Sequence, residues 1–247
     1  MFLSVLFSCV LAAAPASDAA PSRPLPQAAH AAKPTSGAPK AASPLAPEVQ
    51  KAVDAMQRFY EGTEHFEADF VQTYTYTTFA RQTTSKGHLR FLKSGSAMRW
   101  DYTSPNEKSF IVAASRYFVY DKAAKQIMVA EMDSDRISAS LSFLWGQGRI
   151  TDAFNVAPAD RDDLGDGIGL ELTPKTPDPR FQKIYFLLSR ENYSVKGTLV
   201  VDPDGSENLM EFSNIRTDGT YGKEVFRLSP PPDVQVLRFD RPDDGKK

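Results

Sequence analysis

The chain has 247 residues, among them 16 Phe and 9 Tyr, and a formal net charge of −2. So even a balance offers no basic field to nucleic acid or to an anionic membrane, which excludes both as charge-driven partners. The single cysteine, Cys9, excludes an intramolecular disulfide and a cysteine-ligated metal cluster.

Residues 1–20 carry an apolar run, MFLSVLFSCVLAAAPASDAA, too short to span a bilayer and followed by small residues suited to cleavage. They read as a signal peptide, and export is expected. As a lipobox, Leu6-Phe7-Ser8-Cys9 has a bulky Phe beside the cleavage point and a very short segment before it, so a processed, cysteine-free mature chain is expected. Residues 21–46 are rich in Ala and Pro with hardly an aromatic or branched side chain. Such a segment buries too little to offset its ordering entropy and reads as a disordered linker. Residues 47–240 suffice for one domain with a real core, and 241–247 form a polar tail.

The domain opens on a helix from Pro47, with acidic Glu48 in its first turn, Val49, Val53, Met56 and Phe59 on one face, and Gly62 as its stop. Glu64 to Phe79 then alternates as a long strand, with Phe66, Ala68, Phe70, Tyr74 and Tyr76 against Glu67, Asp69, Thr73, Thr75 and Thr77. Between Lys86 and Asp121 four short strands follow, HLRFLK, AMRWDY, SFIVAA and RYFVYD, joined by Ser, Gly, Pro and Asn turns. In this β-meander Phe91, Met98, Trp100, Tyr102, Phe110, Val112, Phe118 and Tyr120 all require burial or a ligand. After a strand at Gln126 to Met132, Ser134 caps a helix carrying Ile137, Leu141, Leu144 and Trp145 before Gly146. A lone helix between hairpins covers one opening of a curved sheet, so it reads as a lid. The remainder is β: Ile168 to Pro174, Phe181 to Ser189, Val195 to Asp202, Glu207 to Ile215, Glu224 to Leu228 and Val234 to Phe239. Asp202-Pro203-Asp204-Gly205 closes a hairpin, and Pro230 to Pro232 release the last strand to an edge. The fold class is mainly β, of the α+β type.

Motifs for catalysis do not occur: no Gly-x-Ser-x-Gly, no His-Glu-x-x-His and no phosphate loop. His30 lies in the linker, and His65 and His88 sit at strand edges without a spaced partner. The run from Asp160 to Glu171 has calcium-loop spacing, but Leu164 stands where a ligand oxygen is needed. No catalytic residue, metal or cofactor is therefore expected. The aromatic face remains. Periodicity does not separate a filled core from a cavity, although rigid aromatic walls favour a cavity.

Several motifs occur in a specific order: Phe66-Glu67-Ala68-Asp69-Phe70-Val71-Gln72, a basic turn and Arg99-Trp100-Asp101-Tyr102, Ser104-Pro105, Ile111-Val112, Tyr120-Asp121, Leu141-x-x-Leu144-x-Gly146, then Leu170-x-Leu172-x-Pro174-Lys175. In this order the chain resembles the periplasmic carriers of outer-membrane lipoproteins, the LolA family. The resemblance implies an unclosed antiparallel β-barrel with a helical lid over an apolar concave face. It implies a monomeric, non-enzymatic carrier whose partners are acylated lipoproteins, an inner-membrane lipoprotein-releasing ABC transporter and an outer-membrane lipoprotein receptor. The acyl cavity would be lined by Phe66, Phe70, Phe91, Met98, Trp100, Phe110, Val112, Phe118, Leu141 and Leu144. Where the family has Arg-Pro or Lys-Pro before Arg-Trp, this chain has Lys93-Ser94, so the lid latch falls on those two residues without an arginine fork. The alternatives are a receptor or lipid-binding envelope sensor of the same fold and, from another class, an envelope hydrolase. The carrier task suits the residues: exposing an acyl chain costs about 0.8 kcal/mol per CH₂, above 10 kcal/mol for about sixteen carbons, so such a chain must cross water covered.

Overall fold

The computed structural model describes residues 45–113, 115–131 and 148–239. The expected signal peptide, most of the linker, the expected lid helix with Leu141 and Leu144, and the tail lie outside the described residues. Helix α1 (Pro47–Glu61) is followed by β1 (His65–Tyr76), β2 (Arg81–Leu92), β3 (Ala97–Ser104), β4 (Lys108–Ala113), β5 (Arg116–Asp121) and β6 (Gln126–Glu131). After the gap come a single turn, α2 (Ile150–Ala153), then β7 (Phe154–Pro158), β8 (Ile168–Pro174), β9 (Lys183–Leu188), β10 (Val195–Val201) and β11 (Glu207–Arg216). A 3₁₀ turn (Lys223–Phe226) and β12 (Gln235–Phe239) are the last described elements. All twelve strands join one sheet in the order β12-β6-β5-β4-β3-β2-β1-β11-β10-β9-β8-β7. Its two edges are β12 and β7, so the sheet is unclosed.

The period of two sets which face is buried. Along β1, Phe66, Ala68, Phe70 and Gln72 are buried while the residues between them are only partly covered. One face, here the inner face, carries a large apolar cluster that draws on every strand from β1 to β11 except β6. Helix α1 belongs to that cluster through Val49, Ala52, Val53, Met56 and Tyr60. Its C-terminal turn is tied to the sheet, because Tyr60 Oη accepts a hydrogen bond from the Val195 amide at 3.1 Å. Burial pushes the Tyr60 phenol well above its usual range, so this hydroxyl stays neutral.

Residues 217–234 cross the outer face and build a second, smaller cluster in which Phe226 packs on Leu92, Ala97 and Ile111. Here the expected strand from Glu224 to Leu228 is corrected to the 3₁₀ turn Lys223–Phe226. The segment lies on the sheet's face and has no strand to pair with. Its carbonyls are met by side chains instead, Arg99 Nη1 donating to Val225 O at 2.8 Å. Tyr221 Oη lies 3.0 and 2.9 Å from the carbonyl oxygens of Phe66 and Phe91 and shares its one proton between them. The last described strand, β12, then pairs with β6 in parallel, the one parallel pair among the described strands, at an edge as the prolines imply. Two elements go beyond the sequence expectation. The first half of β2, Arg81 to Gly87, pairs residue by residue with the end of β1, and α2 with β7 forms the far edge.

Where β1, β2 and β3 lie side by side, Gly87 stands between Phe70 and Tyr102 in the register. A Cβ there would fall 2.6 Å from Phe70 Cζ and 2.1 Å from the Asp101 carbonyl oxygen. Gly87→Ala is therefore expected to lower stability by about 1–3 kcal/mol, the usual cost of overpacking. A urea titration reads this as an earlier midpoint; an unchanged midpoint would mean that the β3 backbone at Asp101 and the ring of Phe70 both have room to move aside.

Candidate functional site

Phe66 and Phe70 from β1, Phe91 from β2, Met98 from β3, and Phe110 and Val112 from β4 are all buried in the inner-face cluster, and Trp100 packs against it partly buried. Alternation explains the convergence, since the β2–β3 and β3–β4 registers set Phe91 opposite Met98, Met98 opposite Val112 and Trp100 opposite Phe110. The rings form a chain of edge contacts. Phe70 meets Trp100 at 5.3 Å and Tyr102 at 4.9 Å between centroids, and Tyr102 meets Phe110 at 5.5 Å. Such pairs prefer edge-to-face geometry and resist collapse better than aliphatic chains.

Phe118 does not join them. It stands opposite Ile111 in the β4–β5 register, and Ile111 belongs to the outer-face cluster, where Phe118 packs with it. Its neighbours Tyr117 and Val119 take the inner face instead. The strand residues expected in the site come from the front half of the chain alone, Leu141 and Leu144 being expected on the lid. The structure adds Phe154, Val156, Leu170, Leu172, Phe186 and Met210 from the back half to the same cluster. The alternation of Leu170 and Leu172 was a usable signal for this. Four polar side chains on these strands are buried as well, Gln72, Ser85, Thr198 and Asn208.

Lys93 and Ser94 lie in the β2–β3 turn beneath the end of α1. Lys93 Nζ donates to the carbonyls of Glu61 and, at 3.5 Å, Tyr60, which meets the negative end of the helix dipole. The Ser94 amide donates to Glu64 Oε1 at 3.1 Å. Hydrogen bonds from Ser94, outweighing the desolvation, hold the Glu64 carboxyl below its usual range. This turn is thus tied to the helix that covers the inner face.

The outer face differs in chemistry. A groove of roughly 580 Å³ there is bordered by Glu67, Asp69, His88, Arg90, Asn214 and Arg216. Asn214 Nδ2 donates to Asp69 at 2.7 Å, and this bond is the main cause that keeps the Asp69 carboxyl below its usual range. Arg216 pairs with Glu67, and His88 with Asp69. Charges alternate and pair across the strands, as on an ordinary solvated sheet face. In the loop with calcium-like spacing, Arg161 bridges Asp163 and Glu207, with Nη1 2.5 Å from Glu207 Oε1.

Residues 61–229 match the family described as "Outer membrane lipoprotein carrier protein LolA". A relative named outer-membrane lipoprotein carrier protein, from Nitrosospira multiformis, is 26% identical over 189 residues, covering 75% of this chain and 87% of that one. A protein of the same name from Cupriavidus taiwanensis is 25% identical over 197 residues, covering 78% and 90%. Among solved structures, an uncharacterized conserved protein from Thermus thermophilus superposes with a TM-score of 0.51 at 11% identity, over 78% of this chain and 99% of that one. That likeness is one of fold.

The Lys93 contact yields a measurable expectation. Lys93→Met keeps the stem and removes the charge from the end of α1, and it should lower stability by about 0.3–1 kcal/mol. Because the loss is local, hydrogen exchange should quicken first at the amides of the last turn of α1. Exchange unchanged there would show that the helix end is held by Tyr60 and packing alone.

Proposed function

The chain belongs to the family of outer membrane lipoprotein carrier proteins, LolA, and from that premise we propose that it is a periplasmic carrier that shields the acyl chains of lipoproteins between the inner and outer membranes. It would receive them from an inner-membrane lipoprotein-releasing ABC transporter and hand them to an outer-membrane lipoprotein receptor. The observation that carries this reading is the inner face itself: a large apolar cluster spread over most of an unclosed sheet and covered in part by α1, whose last turn is tied to β10. Acyl chains need no directional contacts, only removal from water, so an apolar wall recognises them and releases them alike.

In this reading the cover moves. Contacts between α1 and the inner face are exchanged for contacts with the acyl chains, so the cost of opening is largely returned on loading. Phe66, Phe70, Phe91, Met98, Trp100, Phe110 and Val112 form the wall. Lys93 and Ser94 tie the cover to the rim. Leu141 and Leu144 are assigned to the same site on their helical spacing alone.

A fluorescent long-chain acyl probe tests the proposal. The protein is expected to bind it saturably and to lose it to an acylated lipoprotein, but not to the same lipoprotein without its acyl chains. Leu144→Glu should weaken binding at least about tenfold, about 1.4 kcal/mol, since a carboxylate would have to be buried against the chain. Equal competition by the non-acylated form would contradict the proposal.

A further inference from the structure

The buried polar groups of the inner face are arranged with a direction. Tyr102 Oη donates to Gln72 Oε1 at 2.9 Å, and Gln72 Nε2 donates to Asn208 Oδ1 at 2.9 Å. Each residue spends its acceptor on the one before it, so the relay ends in a donor, Asn208 Nδ2. That atom is buried and has no acceptor among the described residues, in a side chain only 1% exposed. Gln72, in the middle, is 4% exposed. Trp100 Nε1, which can only donate, is likewise buried with no acceptor, as is Thr198 Oγ1.

These groups share one face. Gln72 follows Phe70 by two along β1, Asn208 precedes Met210 by two along β11, and Thr198 stands opposite Met210 on β10. Trp100 and Tyr102 both meet the ring of Phe70 edge-on, so the indole and the head of the relay belong to one aromatic patch. Buried polar groups ordinarily find partners, because an unmade hydrogen bond forfeits the hydration the group has lost. Several orphaned groups on a single apolar face, two of them pure donors, point to a ligand that brings acceptors. Hydrogen bonds in series polarise one another, so the terminal amide is a stronger donor than an isolated one.

We infer that the donor end of this relay and the Trp100 indole each read a carbonyl oxygen, the ester or amide oxygen through which an acyl chain joins its head group. The inference rests on the acyl-carrier reading and adds a polar anchor to an otherwise non-directional site. A neutral carbonyl suits these donors, whereas a free carboxylate would be buried without a counter-ion. The Lys108 ammonium, opposite Tyr102 in the β3–β4 register, is held by Asp121 at 2.9 Å. A diacylated lipopeptide and a phospholipid both offer such carbonyls.

The test uses the full chain and two ligand series, a diacylated lipopeptide and a phospholipid, each made with ester-linked chains and with ether-linked chains of equal length. In the wild type the ester form is expected to bind about tenfold more tightly than its ether counterpart, about 1.4 kcal/mol. The series that shows the preference identifies the source of the carbonyl. Asn208→Leu should reduce the preference while leaving ether binding in place, and Trp100→Phe should lower the ester-to-ether affinity ratio whatever it does to the affinity of either form. Equal affinity for ester and ether in both series overturns the inference and leaves the acyl carrier standing. A preference that survives in both variants overturns it too. No saturable binding of any of the four ligands overturns the carrier reading and the inference with it.

Discussion

Phe70 lies across β2 at the one position where β2 has no side chain, and through that opening it reaches Trp100 and Tyr102 two strands away. Burying such a ring contributes about 1.5–3 kcal/mol, and each edge contact adds about 0.5–1.5 kcal/mol. The contact also keeps three neighbouring strands in a single register, because a slip of one residue would turn Phe70 to solvent and set a side chain against its ring. From this centre the inner face extends through β4 and β5 on one side and through β11 to β7 on the other. An open sheet with so apolar a face must be covered, and α1 is the described element that covers part of it.

Much of this was legible because the strands alternate. The expected starts and ends of β5 and β8 coincide with the observed ones, and the helix from Pro47 is stopped at Gly62 as its signals imply. Legibility ended where a strand is covered on both faces. SFIVAA and RYFVYD read as continuous apolar runs, from which parity cannot be taken, and Phe118 was assigned to the wrong side for that reason. The residues that cover Ile111 on the outer face, Phe226 above all, arrive more than one hundred positions later in the chain. The first half of β2 failed for the opposite reason. Arg-Gln-Thr-Thr-Ser-Lys is polar on both faces, and its strand character comes from pairing with β1.

The polar relay was beyond a reading of local pattern. Gln72 and Asn208 lie 136 positions apart, and only the β1–β11 pairing brings them together. Gln72 was visible as the last residue of the Phe-x-Ala-x-Phe-x-Gln motif, where the alternation continues but the chemistry changes. A polar residue in register with buried phenylalanines is the signal that could have marked it, though its partner is set by topology.

Cross-linking from within the sheet tests the central claim most directly. A photoreactive phenylalanine analogue placed at Trp100 lies on the inner face, and one at Phe118 lies on the outer face of the same meander. Irradiated in cells that process lipoproteins, the protein carrying the analogue at position 100 is predicted to form adducts whose mass includes acyl chains, and the one at position 118 is not. Acylated adducts from position 118 alone, or from neither position while both proteins remain folded, would contradict the account.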